Sequence, residues 1–381
     1  MFTYPVGYRL FHPNDTINYQ INRWLPTADE VEFTDAAKVA SLLDWEKAMV
    51  HIGERAAAEG RHLHAATYFR AAEFFMGFDR SEKLEVYARY REQMDRVDVG
   101  APYERVLVRF RDGQMPAFCF RARSGTRREA LVVHGGFDSY AEEFLFWGTE
   151  FAELGYDVIL FEGPGQGASL REFALKMDPE WEHPVAAILD HFDVEECTLL
   201  GVSLGGYLAP RAAAFEPRVK RVIALNIMFD FFECFAMKLG PNAGTALSRL
   251  LASGNETGIE HLFKQLQVGN PGLAWAIAHG RHISGASTTS DYLRWLKRMS
   301  TADFSERITQ DVLLLAGSED HIVPAGQLYR QAEAFTNARS VTTRLFSEAE
   351  QAQAHCQVGN LRLVLDTMRD WMDFQLKQRG R

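Results

Sequence analysis

A serine in the middle of the sequence has the surroundings of a nucleophile. Ser203 lies within residues 201–206 (GVSLGG), directly after the apolar run 198–200 and before a predicted helix. Strand, tight turn and helix together form the nucleophile elbow, which exposes a serine hydroxyl above a sheet. Glycines on both sides of Ser203 let the strand and helix backbones approach closely. The alternative is an ordinary serine in a glycine-rich loop.

A serine hydroxyl is a weak nucleophile and needs a base, which an acid must orient. In the elbow arrangement the acid and then the histidine follow the serine along the chain. The predicted strand 312–316 ends at residues 317–320 (GSED), where Asp320 is favoured as the acid over its neighbour Glu319. His355 follows the last predicted strand and is the predicted base, since no histidine lies beyond it and His321 directly adjoins the acid. The alternatives are solvated loop carboxylates and a surface histidine.

Backbone N–H groups must stabilise the oxyanion that forms when a serine attacks a carbonyl. Leu204, the residue after the nucleophile, is the first predicted donor. The second donor is expected in residues 134–137 (HGGF), which follow the predicted strand 131–133. Gly136 and Phe137 are both candidates, and the sequence does not choose between them. His134 is interpreted as structural support for this loop.

Three carboxylates are candidates for substrate contacts. Glu162 opens residues 162–167 (EGPGQG), a glycine-rich stretch that lacks the lysine of a phosphate-binding loop and is interpreted as a turn rimming the site. Asp230 and Glu233 follow the predicted strand 222–225. Perturbed carboxylates gather in active-site clefts, which motivates the assignment. Surface carboxylates at the entry to the next segment are the alternative reading of Asp230 and Glu233.

The elements that must position these residues follow from apolar periodicity. Residues 1–100 predict a helical N-terminal domain, with apolar residues at helical spacing from Val39 to Ile52 and from Ala65 to Phe75. From residue 103 onwards, a hairpin and then short apolar strands alternate with helices, which predicts an α/β fold with a mainly parallel sheet. Residues 231–307 lack this alternation and predict a helical lid insertion. The core is expected to comprise residues 101–230 and 308–381.

Composition excludes several classes of function. The net charge is −10 and no long Lys/Arg run occurs, which excludes a nucleic-acid partner. The four cysteines, Cys119, Cys197, Cys234 and Cys356, form no C-x-x-C pair, so neither a metal nor another cofactor is predicted. Reduced thiols and the lack of a signal sequence in residues 1–23 indicate a cytoplasmic protein. No apolar run is long enough to predict a membrane span.

Four motifs together resemble one group of the α/β-hydrolase family. They are residues 134–139 (HGGFDS), 162–167, 201–206 and 355–357 (HCQ), preceded by the helical N-terminal segment. The group includes 2,6-dihydropseudooxynicotine hydrolase and the fungal hydrolases of yellowish-green type that shorten polyketides. The resemblance covers most of the chain and implies an α/β-hydrolase fold. The group more usually has Asp where this chain has Glu162, so the local pocket is expected to differ.

The resemblance also implies a function. It implies a catalytic triad of Ser203, Asp320 and His355, an acyl-enzyme, and cleavage of a C–C bond next to a carbonyl in a small-molecule ketone, β-diketone or polyketide-like substrate. It further implies a homodimer. FrsA-like and dienelactone-type esterases share the elbow, so a carboxylesterase or lactonase is the alternative. A non-catalytic hydrolase-like binding protein is a third interpretation, although such proteins usually lose a triad member and this chain keeps all three.

Overall fold

A sheet of eight strands forms the centre of the computed structural model, which describes residues 2–123 and 128–379. In space the strand order is β1-β2-β4-β3-β5-β6-β7-β8, with antiparallel pairing around β2 and parallel pairing elsewhere. The predicted α/β architecture with a mainly parallel sheet is therefore confirmed. The strands are β1 Glu104–Phe110, β2 Gly113–Phe120, β3 Ala130–His134, β4 Asp157–Phe161, β5 Cys197–Val202, β6 Val219–Leu225, β7 Asp311–Gly317 and β8 Ser340–Phe346.

Helices precede the sheet, connect its strands and interrupt it once. Within the described residues, those before β1 are α1 Asp15–Trp24, α2 Glu30–Ala36, α3 Leu42–Ala58, α4 His62–Phe75 and α5 Ser81–Met94. Those between β3 and β6 are α6 Leu145–Glu153, α7 Gly167–Arg171, α8 Glu182–His191 and α9 Gly205–Phe215. The insertion between β6 and β7 holds α10 Phe231–Lys238, α11 Pro241–Ala252, α12 Glu256–Leu266, α13 Pro271–Ser284 and α14 Thr289–Lys297. The last two are α15 Gly326–Ala334 and α16 Leu361–Arg379.

The N-terminal helices differ from the predicted pattern at two points. The prediction placed Val39 on the same helix as Ile52, but α3 begins at Leu42 because Ser41 caps it, accepting the Asp44 N–H at 3.1 Å. The sequence analysis did not identify α1, whose residues DTINYQINRW are mostly polar, although Ile17, Ile21 and Trp24 lie at helical spacing. Tertiary packing buries this helix nonetheless, including Asn18, Gln20 and Asn22.

Alternate residues of the strands point to opposite faces of the sheet and into two apolar cores. Phe120 and Val133 face the side on which Trp45 and Phe69 of the N-terminal helices pack. Val132 faces the other side, whose core extends into the helices inserted between β6 and β7. The N-terminal helices thus share a core with the sheet, and their independence as a domain over residues 1–100 stays a prediction.

The lengths and compositions of the helices bear on membrane insertion. In the described parts of the chain, no helix combines the length and the apolar character needed to cross a bilayer.

Candidate active site

Ser203 occupies the sharp turn between β5 and α9. Its backbone φ is 61°, a left-handed conformation that L-residues adopt only under local constraint. A Cβ on Gly201 would lie 2.1 Å from the carbonyl oxygen of Gly205, and a Cβ on Gly206 would lie 1.7 Å from that of Asn226. The glycines of this motif are therefore required by close backbone contacts, and they leave the serine hydroxyl at the C-terminal edge of the sheet.

His355 and Asp320 reach the serine from two other connections. Asp320 lies in the loop after β7, and His355 lies in a short 3₁₀ turn, His355–Gln357, after β8. The Oγ of Ser203 is 2.8 Å from Nε2 of His355, and Nδ1 of His355 is 2.8 Å from Oδ2 of Asp320. Because the carboxylate accepts the Nδ1 proton, Nε2 is free to accept the proton of the serine hydroxyl.

Glu319, the alternative acid, is exposed, and its backbone N–H bonds the carbonyl of Gln353 at 3.0 Å. The structure thus brings Asp320, rather than Glu319, to the imidazole. The other oxygen of Asp320, Oδ1, accepts the N–H groups of Ile322 at 2.7 Å and Val323 at 2.9 Å. These bonds fix the carboxylate in the orientation that the histidine requires.

Burial and charge have opposite effects on this pair. Burial by itself lowers the pKa of His355, but the negative charge of Asp320 outweighs it and the pKa is raised. For Asp320, burial raises the pKa, while the positive charge and hydrogen bond of His355 lower it below the usual value. The arrangement therefore favours an ionised carboxylate and stabilises the imidazolium that forms when the serine gives up its proton.

The two predicted sources of oxyanion donors lie against each other. A Cβ on Gly136 would sit 2.5 Å from the backbone nitrogen of Leu204, so the loop after β3 touches the elbow directly. Within residues 2–123 and 128–379, the N–H groups of Gly136, Phe137 and Leu204 donate to no acceptor. Phe137 and Leu204 also line the cavity described below. Unused donors on both sides of the serine have the placement that an oxyanion hole needs.

Side chains from distant elements hold this loop, here called the oxyanion loop and defined as residues 135–139. His279 of α13 donates from Nε2 to the carbonyl of Phe137 at 2.7 Å. Arg70 of α4 donates to the carbonyl of Asp138 at 2.6 Å, and Gln166 donates to that of Gly136 at 3.0 Å. With its carbonyl groups bonded outwards, the loop is fixed with respect to the elbow.

Ser203 and His355 open into a cavity of about 860 Å³. This volume lies within the range of small-molecule sites, about 300–1,000 Å³. Aromatic side chains of the wall come from α1, the oxyanion loop, α10 and α13 among other segments; they include Tyr19, Trp24, Phe137, Phe231, Phe235 and Trp275.

The candidate substrate carboxylates lie elsewhere. Asp230 caps α10 by accepting the N–H of Glu233 at 2.8 Å, and Glu233 forms an ion pair with Arg330. Glu162 is buried below the turn and accepts the N–H groups of Ala141 and Ala168. Burial and the nearby Glu142 raise the pKa of Glu162 to about 8. None of the three lines the cavity among the described residues, because each is engaged with local backbone or a surface arginine.

Asn226 is a site residue that the sequence did not reveal. Its side-chain nitrogen Nδ2 donates to Oδ2 of Asp320, and its side-chain oxygen Oδ1 accepts from Nε2 of Gln357 at 2.8 Å. It follows β6, where a lone asparagine carries no recognisable signal. His134 lies where its interpretation placed it, buried with Nδ1 2.8 Å from the carbonyl of Gly135. Across the described ranges, no three His, Cys, Asp or Glu side chains are grouped so as to hold a metal ion.

This arrangement can perform nucleophilic attack on a carbonyl, because it brings a hydrogen-bonded serine, a buried base and two sets of free N–H donors together at one cavity. The base can accept the serine proton and return it to a leaving group, and water can then release the acyl group by the same steps.

Comparison with protein families gives one match that covers more than half of the chain. The model described as alpha/beta hydrolase fold matches residues 131–350, which include Ser203 and Asp320. Two fungal relatives are similar over nearly the whole chain. Hydrolase LUC6 of Fusarium sp is 28% identical over 90% of this chain and 86% of its own. The 20-hydroxy-prefusarin hydrolase FUS2 of Gibberella moniliformis is 27% identical over 89% and 85%.

Solved structures show the same overall fold. A 2,6-dihydroxy-pseudo-oxynicotine hydrolase superposes with a TM-score of 0.62 at 20% identity, covering 93% of this chain and 94% of its own. AbyA5 superposes with a TM-score of 0.65 at 19% identity, covering 94% and 91%. Both likenesses include the N-terminal helices as well as the sheet.

Proposed function

Because the chain belongs to the α/β-hydrolase family, we propose that it is a serine hydrolase that cleaves a C–C bond next to a carbonyl. The substrate class is a ketone, β-diketone or polyketide-like compound, and the reaction proceeds through an acyl-enzyme on Ser203. The observation that carries the serine mechanism is the chain of two 2.8 Å contacts from Ser203 through His355 to Asp320. The bond class rests on the motif resemblance, and the relatives, which include a 20-hydroxy-prefusarin hydrolase, support only the coarser assignment as a hydrolase.

The reaction begins when Ser203 attacks the carbonyl carbon and its proton passes to Nε2 of His355. The N–H of Leu204 and one N–H of the oxyanion loop stabilise the resulting oxyanion. On collapse, the C–C bond breaks and its electron pair leaves with the departing carbon as an enolate or an electron-rich ring. His355 delivers the proton to that carbon, which leaves the acyl group on Ser203. Water, deprotonated by His355, then releases a carboxylic acid.

A fluorophosphonate probe tests the nucleophile. Wild-type protein is expected to become labelled at Ser203, and Ser203→Ala is expected to lose labelling and at least about 10³-fold in kcat, because triad members act as a unit. Ser318→Ala is the matched control, since Ser318 is exposed and lies beside the acid loop. Wild-type protein that is not labelled favours a non-catalytic binding protein. A Ser203→Ala variant with near wild-type turnover contradicts the serine mechanism.

Product analysis in deuterated water tests the bond class. A panel of 1,3-diketones, aryl ketones and esters is incubated with wild-type protein and with Ser203→Ala. Cleavage of a ketone is expected to place deuterium on the carbon that leaves, because His355 protonates that carbon. Turnover of simple esters with no ketone cleaved across the panel assigns the protein as a carboxylesterase or lactonase with the same triad.

A further inference from the structure

Lys238 is a lysine inside the candidate active site that the mechanism above does not use. It is the last residue of α10, and it lines the same cavity as Ser203 and His321. Its side chain is exposed, although desolvation by the surrounding protein lowers the pKa of its ammonium group. Because Lys238 belongs to the cavity wall, part of its exposed surface borders the space into which Ser203 opens.

The ammonium group has no partner in the described part of the chain. No hydrogen bond or ion pair involves its Nζ, whereas the arginine that lines the cavity, Arg23, pairs with Asp138 and Glu143 at 2.8 Å each. The negative charge that acts most strongly on Lys238 is Asp320, whose oxygens already accept from His355 and from backbone N–H groups. Lys238 thus carries the unneutralised cationic charge of this cavity.

An ammonium group without a counter-ion keeps its N–H donors available to a ligand. A ligand that brings an anionic oxygen to it gains a charge-assisted hydrogen bond, which is among the stronger polar contacts. Besides Asp138 and Glu143, which pair with Arg23, three exposed carboxylates line the cavity: Asp15, Glu319 and Glu348. Lys238 is exposed as well, so solvent and salt weaken its charge and theirs alike, and an anion is held at Lys238 by a direct hydrogen bond rather than by the overall charge of the cavity.

We propose that Lys238 binds an anionic oxygen of the substrate, supplied either by a carboxylate or by the ionised enol of a β-dicarbonyl group. This inference rests on the proposed function in one respect, since it takes Ser203 as the site where the substrate carbonyl reacts. The substrate is then bifunctional: an acyl carbon lies at the elbow and an acidic oxygen lies at the end of α10. Lys238 determines which ketones or esters are accepted.

Turnover of a matched pair of esters tests this specificity. The pair is mono-p-nitrophenyl adipate, which carries a carboxylate, and its neutral methyl ester. Wild-type protein is expected to show a higher kcat/KM for the anionic ester, and Lys238→Met is expected to lower the anionic-to-neutral ratio roughly 10- to 100-fold, the range for a hydrogen bond to a charged group. Lys238→Arg is expected to retain most of the preference. Lys264→Met, an exposed lid lysine away from the cavity, is the matched control. An equal ratio in wild type and Lys238→Met overturns the inference.

Binding to the Ser203→Ala variant tests the same contact without turnover, so it remains informative if the proposed function is wrong. Calorimetric titrations with adipate and with 1,3-cyclohexanedione, an acidic dione, distinguish a carboxylate from an enolate, and cyclohexanone is the neutral control. At least one anion is expected to bind, with affinity about 10-fold or more weaker when Lys238→Met is added. Anions that do not bind, or that bind equally in both proteins, overturn the inference, while probe labelling of Ser203 in wild-type protein reports separately on the nucleophile.

Discussion

At the scale of single residues, Asp320 fixes the orientation of the His355 imidazole. Its carboxylate accepts from His355, from Asn226 and from the N–H groups of Ile322 and Val323. A carboxylate with its acceptor sites occupied has little freedom to rotate, and it holds the imidazole with Nδ1 protonated. Glu319, one residue earlier, is solvated and makes no such contacts.

We expect Asp320→Asn to lower kcat by about 10³- to 10⁴-fold because the wrong tautomer of His355 is favoured, while Glu319→Gln changes kcat by less than about twofold. The neutral imidazole is the active form, so a raised pKa of His355 places the acidic limb of kcat/KM above the ordinary histidine value of about 6.5. In Asp320→Asn, burial dominates the pKa of His355, and the acidic limb of kcat/KM moves to lower pH. Rate–pH profiles of both variants measure this, and a larger loss in Glu319→Gln contradicts the assignment.

The sequence predicted the triad because each member follows a strand in a fixed chain order. It left Gly136 and Phe137 as equal candidates, since a choice of N–H donor depends on backbone direction within one loop. It offered no signal for Asn226 or Lys238. Asn226 acts through a contact that only the folded chain creates, on a residue 94 positions away, and the place of Lys238 in the cavity wall likewise depends on the fold.

At the scale of elements, helix α13 of the insertion supports the oxyanion loop. His279 is buried, and burial lowers its pKa to about 3, so the ring is neutral. Its Nε2 therefore carries a proton for the carbonyl of Phe137, and its ring stacks on Trp275 at 4.9 Å between centroids. The hydrogen bond restrains the peptide groups next to the unused N–H donors.

We expect His279→Phe to lower kcat about 10-fold with KM changed less than about twofold. The ring stacking persists but the loop loses its donor, an effect smaller than the roughly 10²- to 10³-fold loss of an oxyanion donor itself. His279→Gln restores a donor and is expected to recover part of kcat. Steady-state kinetics separate the effect on kcat from the effect on KM, and His282→Phe on the same helix is the control. A change confined to KM, or an equal loss in His282→Phe, excludes the positioning role.

Periodicity predicted the type and order of these elements better than their roles. Apolar runs located the strands within three residues, and the missing alternation located the insertion. The contact between α13 and the oxyanion loop joins residues 142 positions apart, and no local pattern encodes such a pairing.

At the scale of the whole molecule, a buried cluster of charges joins the N-terminal helices to the sheet. Glu73 of α4 pairs with Arg70 at 2.7 Å, Lys83 at 2.9 Å and Arg171 at 2.9 Å. Arg70 continues the cluster to Glu143 at 3.0 Å. These cations outweigh the burial that by itself raises the pKa of Glu73, and they hold that pKa well below its usual value. Each part supplies charges that neutralise those of the other. Removing either part would therefore leave buried charges without a counter-charge.

We expect Glu73→Gln to cost about 3–5 kcal/mol of stability, because buried cations lose their counter-charge. Glu82→Gln, an exposed position on α5, is the control and should change little. In wild-type protein, the pKa of Glu73 is lower in the folded than in the unfolded chain. Its carboxylate therefore stabilises the fold at pH values above the unfolded pKa of about 4.3, and this contribution is lost as the pH falls below that value. Thermal melts at neutral and acidic pH measure both effects.

The same melts test the predicted domain over residues 1–100. A shared core and shared charges predict one transition, seen together by far-UV circular dichroism and by tryptophan fluorescence. Deletion of residues 1–95 is then expected to abolish activity together with the fold. Two separate transitions, or a truncated protein that stays folded and active, would show that the N-terminal helices form an independent domain.

The cavity wall is assembled from stretches of chain that lie far apart in sequence, in α1, α10 and α13, while the serine, its base and its acid belong to the loops of the sheet. Much of the substrate range is therefore encoded apart from the triad. A mutant library confined to the wall positions of residues 15–27 and 231–276 can vary the shape and polarity of the binding space without altering the elbow, provided that Tyr19, Arg23 and Trp275 are kept because they contact His355, Asp138 and His279. Selection on such a library would redirect the enzyme towards new acyl groups while its turnover machinery is inherited intact.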